Sequence, residues 1–224
     1  MKKLICFALI AACLLSLASC SLFGKDDGEN EGPKTPVAKI SEIVNNSSPT
    51  KVYTKIEYVG SETLTAKYTT LVDRNSGNSK FDFEYQRVAK IEEMLPSNVK
   101  TVKGSIWYDA DGNVSHNEGE TWVAEDVSGY LAYSLEISET RFAKYEMKDG
   151  ENDLYAEISP AEAKRVFGAD ISAEGNIVLE IDTNGKYLYL VTIRYTAKDT
   201  GAIVTIQNSY DYATVNISYG QTEN

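Results

Sequence analysis

The chain has 224 residues, with 33 acidic side chains against 22 Lys and Arg, and a formal net charge of −11 at pH 7. That balance repels phosphate backbones and anionic lipid headgroups, and no basic patch with interleaved aromatics offsets it, which argues against nucleic acid as a partner. Three cysteines and one histidine leave little material for thiolate metal sites or for histidine-based catalysis.

The N-terminus is the most informative stretch. Lys2 and Lys3 form a short basic region, Leu4 to Leu17 is an uncharged apolar run, and small residues precede Cys20. These are the three parts of a secretory signal peptide, spanning residues 1–19. The run is shorter than the ~20 apolar residues that a stable membrane-crossing helix needs. Leu17-Ala18-Ser19-Cys20 resembles the lipobox of bacterial lipoproteins. The resemblance implies cleavage before Cys20 and a diacylglycerol on its thiol, so that lipidation and membrane attachment fall on Cys20. Cys6 and Cys13 would be discarded with the signal, which leaves no thiol for a disulfide, a nucleophile or a metal. Losing Lys2 and Lys3 takes the charge of the mature chain from −11 to −13. An anchor with more than one acyl chain is stable, at about 0.8 kcal/mol per buried CH₂. The expected location is the bacterial cell envelope, on the outer face of a membrane (the outer membrane or the cell surface).

Residues 20–37 hold the cysteine and a tether rich in Gly, Pro, Asp, Glu and Asn. Acids soon after the cysteine resemble sorting signals of surface-displayed lipoproteins, but they begin only at Asp26, and a solvated linker is the simpler reading. Residues 38–220 are expected to form a single β-rich domain, long enough to bury a sizeable core.

Ile40, Ile43 and Val44 predict a short amphipathic helix over 38–46. The period then changes to two. Strands are predicted over 51–59 and 62–73, joined at Gly60-Ser61, with a turn over 73–79. In the next strand Phe81, Phe83 and Tyr85 share one face, and Asp82, Glu84 and Gln86 the other. Residues 92–99 break the pattern. A strand through Trp107, a turn at Ala110-Asp111-Gly112-Asn113, a short strand and a turn at Glu118-Gly119 follow. Residues 126–147 fit either a helix from Val127 to about Ile137 and then a strand, or two strands; the first is favoured. DLYAEIS is strand-like. Residues 160–168 read as a helix capped by Ser159, opened by Pro160 and ended by Gly168. At least three strands close the chain, with turns at 182–185 and 198–201 whose Gly185 and Gly201 supply positive φ. The fold class is therefore mainly β (α+β): a large curved antiparallel sheet or half-open β-barrel, with two or three short helices as a lid.

Little of this carries chemistry. His116 sits in a short strand between turns, with no Gly-x-Ser-x-Gly elbow anywhere, and reads as a solvated residue. The run from Asp109 to Asn113 fails the calcium-loop order, because counting back from Gly112 puts Trp107 at the first ligand position. Carboxylates at Glu92-Glu93, Glu118, Glu120 and Asp153 could pair for glycoside hydrolysis, but chance pairs abound on so acidic a surface. No catalytic residue, metal site or cofactor is assigned, and a non-enzymatic role is expected. Tyrosine is abundant, at 15 against 6 Phe and 2 Trp. Strand propensity accounts for this most simply, although tyrosine also suits a wet pocket or a contact surface.

The order of lipobox, linker, short helix, long strands, Trp107-Tyr108-Asp109-Ala110-Asp111-Gly112, Trp122, Val166-Phe167-Gly168 and Val178-Leu179-Glu180-Ile181-Asp182 resembles the LolA/LolB and LppX/LprG group of envelope lipoproteins. The resemblance implies a half-open barrel closed by helices around an apolar cavity, with a lipid or lipoprotein as ligand. The expected lining is Phe81, Phe83, Tyr85, Tyr187, Tyr189, Val191 and Ile193. The alternative is a surface-displayed module with a filled interior that binds a protein or glycan through exposed tyrosines.

Overall fold

The structure, a computed structural model, describes residues 35–89, 99–119 and 135–217. The lipobox with Cys20, most of the tether, the break at 92–98 and Trp122 lie outside the described residues. Among the described residues are ten strands and two α-helices, and every recorded strand pairing is antiparallel. The fold is mainly β. No helix among these residues is long and apolar enough to cross a membrane.

The residues expected as one domain pack as two compact units. One takes 35–48 and 135–195, the other 49–89, 99–119 and 196–217.

The first unit holds both helices. Helix α1 spans Pro36–Asn46, starting two residues earlier than the periodicity predicts. Thr35 caps it, its hydroxyl accepting from the Ala38 N–H at 3.2 Å, and Pro36 supplies a preset φ. Val37, assigned to the tether by composition, is instead buried beside Ile40. The strands of this unit follow the order β9-β8-β7-β6. They are β6 (Lys144–Lys148), β7 (Asp153–Ile158), β8 (Ala173–Thr183) and the larger part of β9 (Leu188–Ala197). One face of β7 and β8 is aliphatic: Leu154 sits opposite Ile181, Ala156 opposite Leu179 and Ile158 opposite Ile177. All six are buried, and so are Ala163, Val166 and Phe167 of helix α2 (Pro160–Phe167). Helix α1 packs on β7 and α2 on β8. Each large side chain so buried contributes about 1.5–3 kcal/mol.

Two expectations in this unit need correction. Ser159 makes no side-chain cap; its carbonyl accepts from the Glu162 N–H at 3.0 Å instead. Gly168 does end the helix, in the left-handed region at φ 69°. The helix expected to reach Ile137 is absent over 135–137. Most of its predicted length lies outside the described residues. The Glu136 N–H is satisfied at 2.9 Å by the Val166 carbonyl, one of the last carbonyls of α2 that have no partner within the helix. Ile137 is buried, and a single 3₁₀ turn over Glu139–Arg141 leads to β6.

The second unit is all β. Its strands are β1 (Lys51–Val59), β2 (Glu62–Val72), β3 (Ser79–Ala89), β4 (Val99–Tyr108), β5 (Val114–Gly119) and β10 (Ile203–Asp211), in the order β5-β4-β3-β2-β1-β10. Alternation puts Ile56, Ala66, Tyr68, Phe81, Phe83, Val102, Ile106, Tyr108, Val204 and Ile206 on one buried face. Tyr68 stacks on Phe81 with centroids 5.4 Å apart. Gly104, paired with Phe83, is where the ladder needs a glycine: a Cβ there would stand 2.5 Å from the Phe83 ring. The turn over 73–78 is tied by the Asp73 carboxylate, which accepts from Asn75 N–H (2.9 Å), Ser76 N–H (3.4 Å), Ser76 hydroxyl (2.9 Å) and Ile217 N–H (3.2 Å).

Candidate functional site

The opposite face of the all-β unit is polar, and cross-strand register arranges it in rows. Tyr53, Thr69, Asp82, Ser105 and Glu118 form one row across β1 to β5. Lys55, Lys67, Glu84 and Lys103 form the row on one side of it; Leu71, Lys80, Trp107 and His116 form the row on the other. The period of two puts each row on the same side of the sheet, because every member lies an even number of residues along its strand from its neighbours in the next row.

Charges are neutralised both within a row and between neighbouring rows. Lys103 Nζ lies 2.9 Å from Glu84 and Lys80 Nζ 2.9 Å from Asp82. The Ser105 hydroxyl donates to Asp82 Oδ1 at 2.5 Å. The hydrogen bond from Lys103 holds the Glu84 carboxyl below the usual carboxylate range, with smaller help from the charges of Lys103 and Lys67. Lys80 lies over the Trp107 ring, 4.7 Å from its centroid, and the His116 ring is 5.1 Å from Trp107 on its other flank. His116 Nε2 approaches Glu118 at 3.2 Å. Ser105, Asp82 and His116 thus share a face, yet the serine hydroxyl is given to the aspartate and the imidazole faces Glu118. Nucleophilic catalysis needs the serine bonded to the base.

Two glycines face each other beside these rows, Gly104 on β4 and Gly119 on β5, and Gly104 alternates onto the inner face with Phe83. Gly119 has φ 78°, and a Cβ there would run into the Lys103 carbonyl. The polar face holds an open recess of about 500 Å³ bordered by Tyr53, Lys67, Thr69, Asp82, Glu84, Lys103, Ser105 and Glu118.

The residues expected to line an apolar cavity are divided between the units. Phe81 and Phe83 are buried and Tyr85 is half-buried, all on the inner face of the all-β unit. Val191 and Ile193 are fully buried in the first unit, whereas Tyr187 and Tyr189 are exposed by 38% and 47%. Tyr189 hydroxyl bonds Asn184 Nδ2 at 3.0 Å, and Lys186 lies over the Tyr187 ring. Two hydroxyls on the inner face of the all-β unit, those of Tyr68 and Tyr108, are buried without a hydrogen-bond partner among the described residues. Burial raises the pKa of both.

The other sites singled out by sequence resolve locally. Asp109 takes the N–H groups of Asp111 (3.0 Å) and Asn113 (2.7 Å) and the Asn113 side chain (3.2 Å), so its oxygens serve the hairpin turn. Those bonds, led by Asn113 N–H, hold its carboxyl low. Glu92, Glu93 and Glu120 lie outside the described residues. Asp153 sits directly across from Asp182, a pairing that no local pattern could reveal. Burial first, and then the charges of Asp153 and Glu180, push the Asp182 carboxyl up. Among the described residues no group of three or more His, Cys, Asp or Glu could hold a metal ion.

No protein-family model matches the chain, and no curated protein matches it. Among solved structures, the hypothetical protein CT021 from Chlamydia trachomatis aligns over 84% of this chain and 98% of its own, at 12% identity and a TM-score of 0.29. At that score the likeness carries no argument.

Proposed function

We propose that the protein is a non-enzymatic bacterial lipoprotein, held on the outer face of an envelope membrane by lipid on Cys20, whose body is an interaction module. One observation carries the reading of the body. Strand faces in both units bury large apolar side chains, among them Tyr68, Phe83, Leu154 and Ile181, while the open recess is polar. An acyl chain gains its affinity by leaving water for an apolar cavity, and a filled interior has no such room. A polar face with an open recess suits a partner that hydrogen-bonds. The exposed Tyr145, Tyr187 and Tyr189 add amphipathic contact area of the kind favoured at interfaces.

A second reading rests on the Tyr68 and Tyr108 hydroxyls. Buried donors without partners are costly, and the carbonyl of an acyl ligand would satisfy them. On that reading the protein is a carrier of the LolA/LppX kind, and a lipid or lipoprotein is the cargo.

Native mass spectrometry of the protein purified from bacterial membranes without detergent, with lipid extraction of the same sample, separates the two. The interaction-module reading expects the mass of the lipidated chain alone and no uptake of a fluorescent fatty acid. A further acylated species at one-to-one ratio would sink it in favour of the carrier. The anchor is tested by Cys20→Ala, which should abolish palmitate labelling and release the protein from the membrane fraction.

A further inference from the structure

The geometry points to the recess on the outer face of β1–β5 as a binding site for a neutral, hydroxyl-rich glycan, an assignment that rests on the interaction-module reading. Its central row offers hydroxyls at Tyr53 and Thr69, each able to donate and accept, and at Ser105, whose proton is given to Asp82, beside the carboxylates of Asp82 and Glu118. A sugar ring presents the same mixture, since every hydroxyl is both donor and acceptor. Trp107 stands on the same face one row away, about 14 Å across the strands from Tyr53 at ~4.8 Å per strand. Tyr53, at the end of the polar row, gives the apolar face of a sugar ring somewhere to lie, whereas the Trp107 ring is covered by Lys80 and flanked by His116. At about 500 Å³ the recess falls within the ~300–1,000 Å³ of small-ligand clefts.

Charge selects against the other occupants. Lys103 and Lys80 already neutralise Glu84 and Asp82, so a bound ion gains little in the recess. A polyanion is repelled by the chain's net charge of −11. An extended peptide is held chiefly by main-chain bonds to an open sheet edge. The central residues of the row, Thr69, Asp82 and Ser105, have strand partners on both sides, while Glu118 and Gly119 come from the edge strand β5. An acyl chain would meet a rim of hydroxyls and charges.

The test uses the full-length lipidated protein in nanodiscs, probed against immobilised neutral oligosaccharides of three to six sugars, with acidic and basic peptides alongside. We expect binding to at least one neutral oligosaccharide. Asp82→Asn and, separately, Thr69→Val should each weaken it about tenfold, as loss of a ligand hydrogen bond predicts, with melting temperatures preserved. Thr69→Val changes no ion pair, so a folding defect in the first variant does not blunt the test. Failure to bind any neutral oligosaccharide, capture of peptides alone, or indifference to both variants overturns the assignment. If native mass spectrometry nevertheless gives the lipidated chain alone, only the glycan assignment falls; a stoichiometric acyl ligand there removes the interaction module beneath it.

Discussion

The buried faces of the two units are built from different side chains. On β7 and β8 of the helix-bearing unit it is Leu, Ile and Ala, met by Ala163, Val166 and Phe167 of α2 and by Val37 and Ile40 of α1. In the all-β unit aromatic rings, those of Tyr68, Phe81, Phe83 and Tyr108, join aliphatic side chains such as Ile56, Val102, Ile106 and Ile206. Aliphatic strand faces and helix faces fill one another's gaps at low cost, because branched side chains of similar size interdigitate. Aromatic rings on neighbouring strands crowd instead, and here the crowding is relieved by a glycine under Phe83. Their hydroxyls are harder to satisfy: both buried tyrosines with unpartnered oxygens lie in the all-β unit. An aliphatic core is thus complete by shape alone, while an aromatic one also needs a gap in the ladder and partners for its polar tips.

The largest expected effect tests the aliphatic side of that contrast. Phe167→Ala empties a fully buried position at the end of α2 and should cost about 3–5 kcal/mol in chemical denaturation. A loss below about 1 kcal/mol would mean that α2 does not hold this core together. The aromatic side is probed by Gly104→Ala. Its methyl would meet the Phe83 ring at 2.5 Å, and overpacking of this kind costs about 1–3 kcal/mol. Adding Phe83→Leu should return part of that loss, a coupling that a double-mutant cycle would read. Additive losses would separate the glycine from the ring.

Two aspartates, one in each unit, sharpen the comparison through pH. The Asp73 carboxyl is held low, first by the Asn75 N–H and then by Ser76 and Ile217. A depressed folded-state pKa adds stability that is full above the ordinary value near ~3.9 and is lost as pH falls through the folded value. Asp73→Ala should therefore lower the melting temperature at pH 7 and flatten the acid limb of its pH profile. An unchanged acid limb would deny Asp73 that role. Asp182 behaves in the opposite sense. Its folded-state pKa is raised, so ionisation opposes folding, and the penalty grows as pH rises from the ordinary value through the folded one. Asp182→Asn, the smallest expected effect, should raise the melting temperature at pH 7, and the gain should vanish below about pH 3.9. A gain that persists in acid would point to a cause other than the ionisation of Asp182, which burial first and then Asp153 oppose.

Elements with a local signal were legible in advance. The alternation of Phe81-Asp82-Phe83-Glu84 settled which way each side chain of β3 points, and Gly185 and Gly201 marked hairpin turns that their positive φ values bear out. Pro160 and Gly168 bounded α2 to the residue. Legibility failed where the partner lay far along the chain. Val37 looked like tether because its helix is short and its burial comes from other strands. Ile137 looked helical because its spacing suits a helix, yet its neighbour's N–H is claimed by Val166. The candidate site was the least visible feature. Its residues are ordinary solvent-facing alternates of five strands, and only register sets Tyr53, Thr69, Asp82, Ser105 and Glu118 side by side.

By itself, then, the sequence determined the mainly β class, the edges of most strands, the turn glycines and the amphipathic faces, because φ preferences and the period of two act over a few residues. The tertiary structure decided the rest. It divided the body into two units and set Asp153 against Asp182. It brought Ile217 back to Asp73 across 144 positions and placed Gly119 opposite Gly104. Each depends on strand register between distant segments, and register is settled by which faces can be buried together, a property of the whole chain.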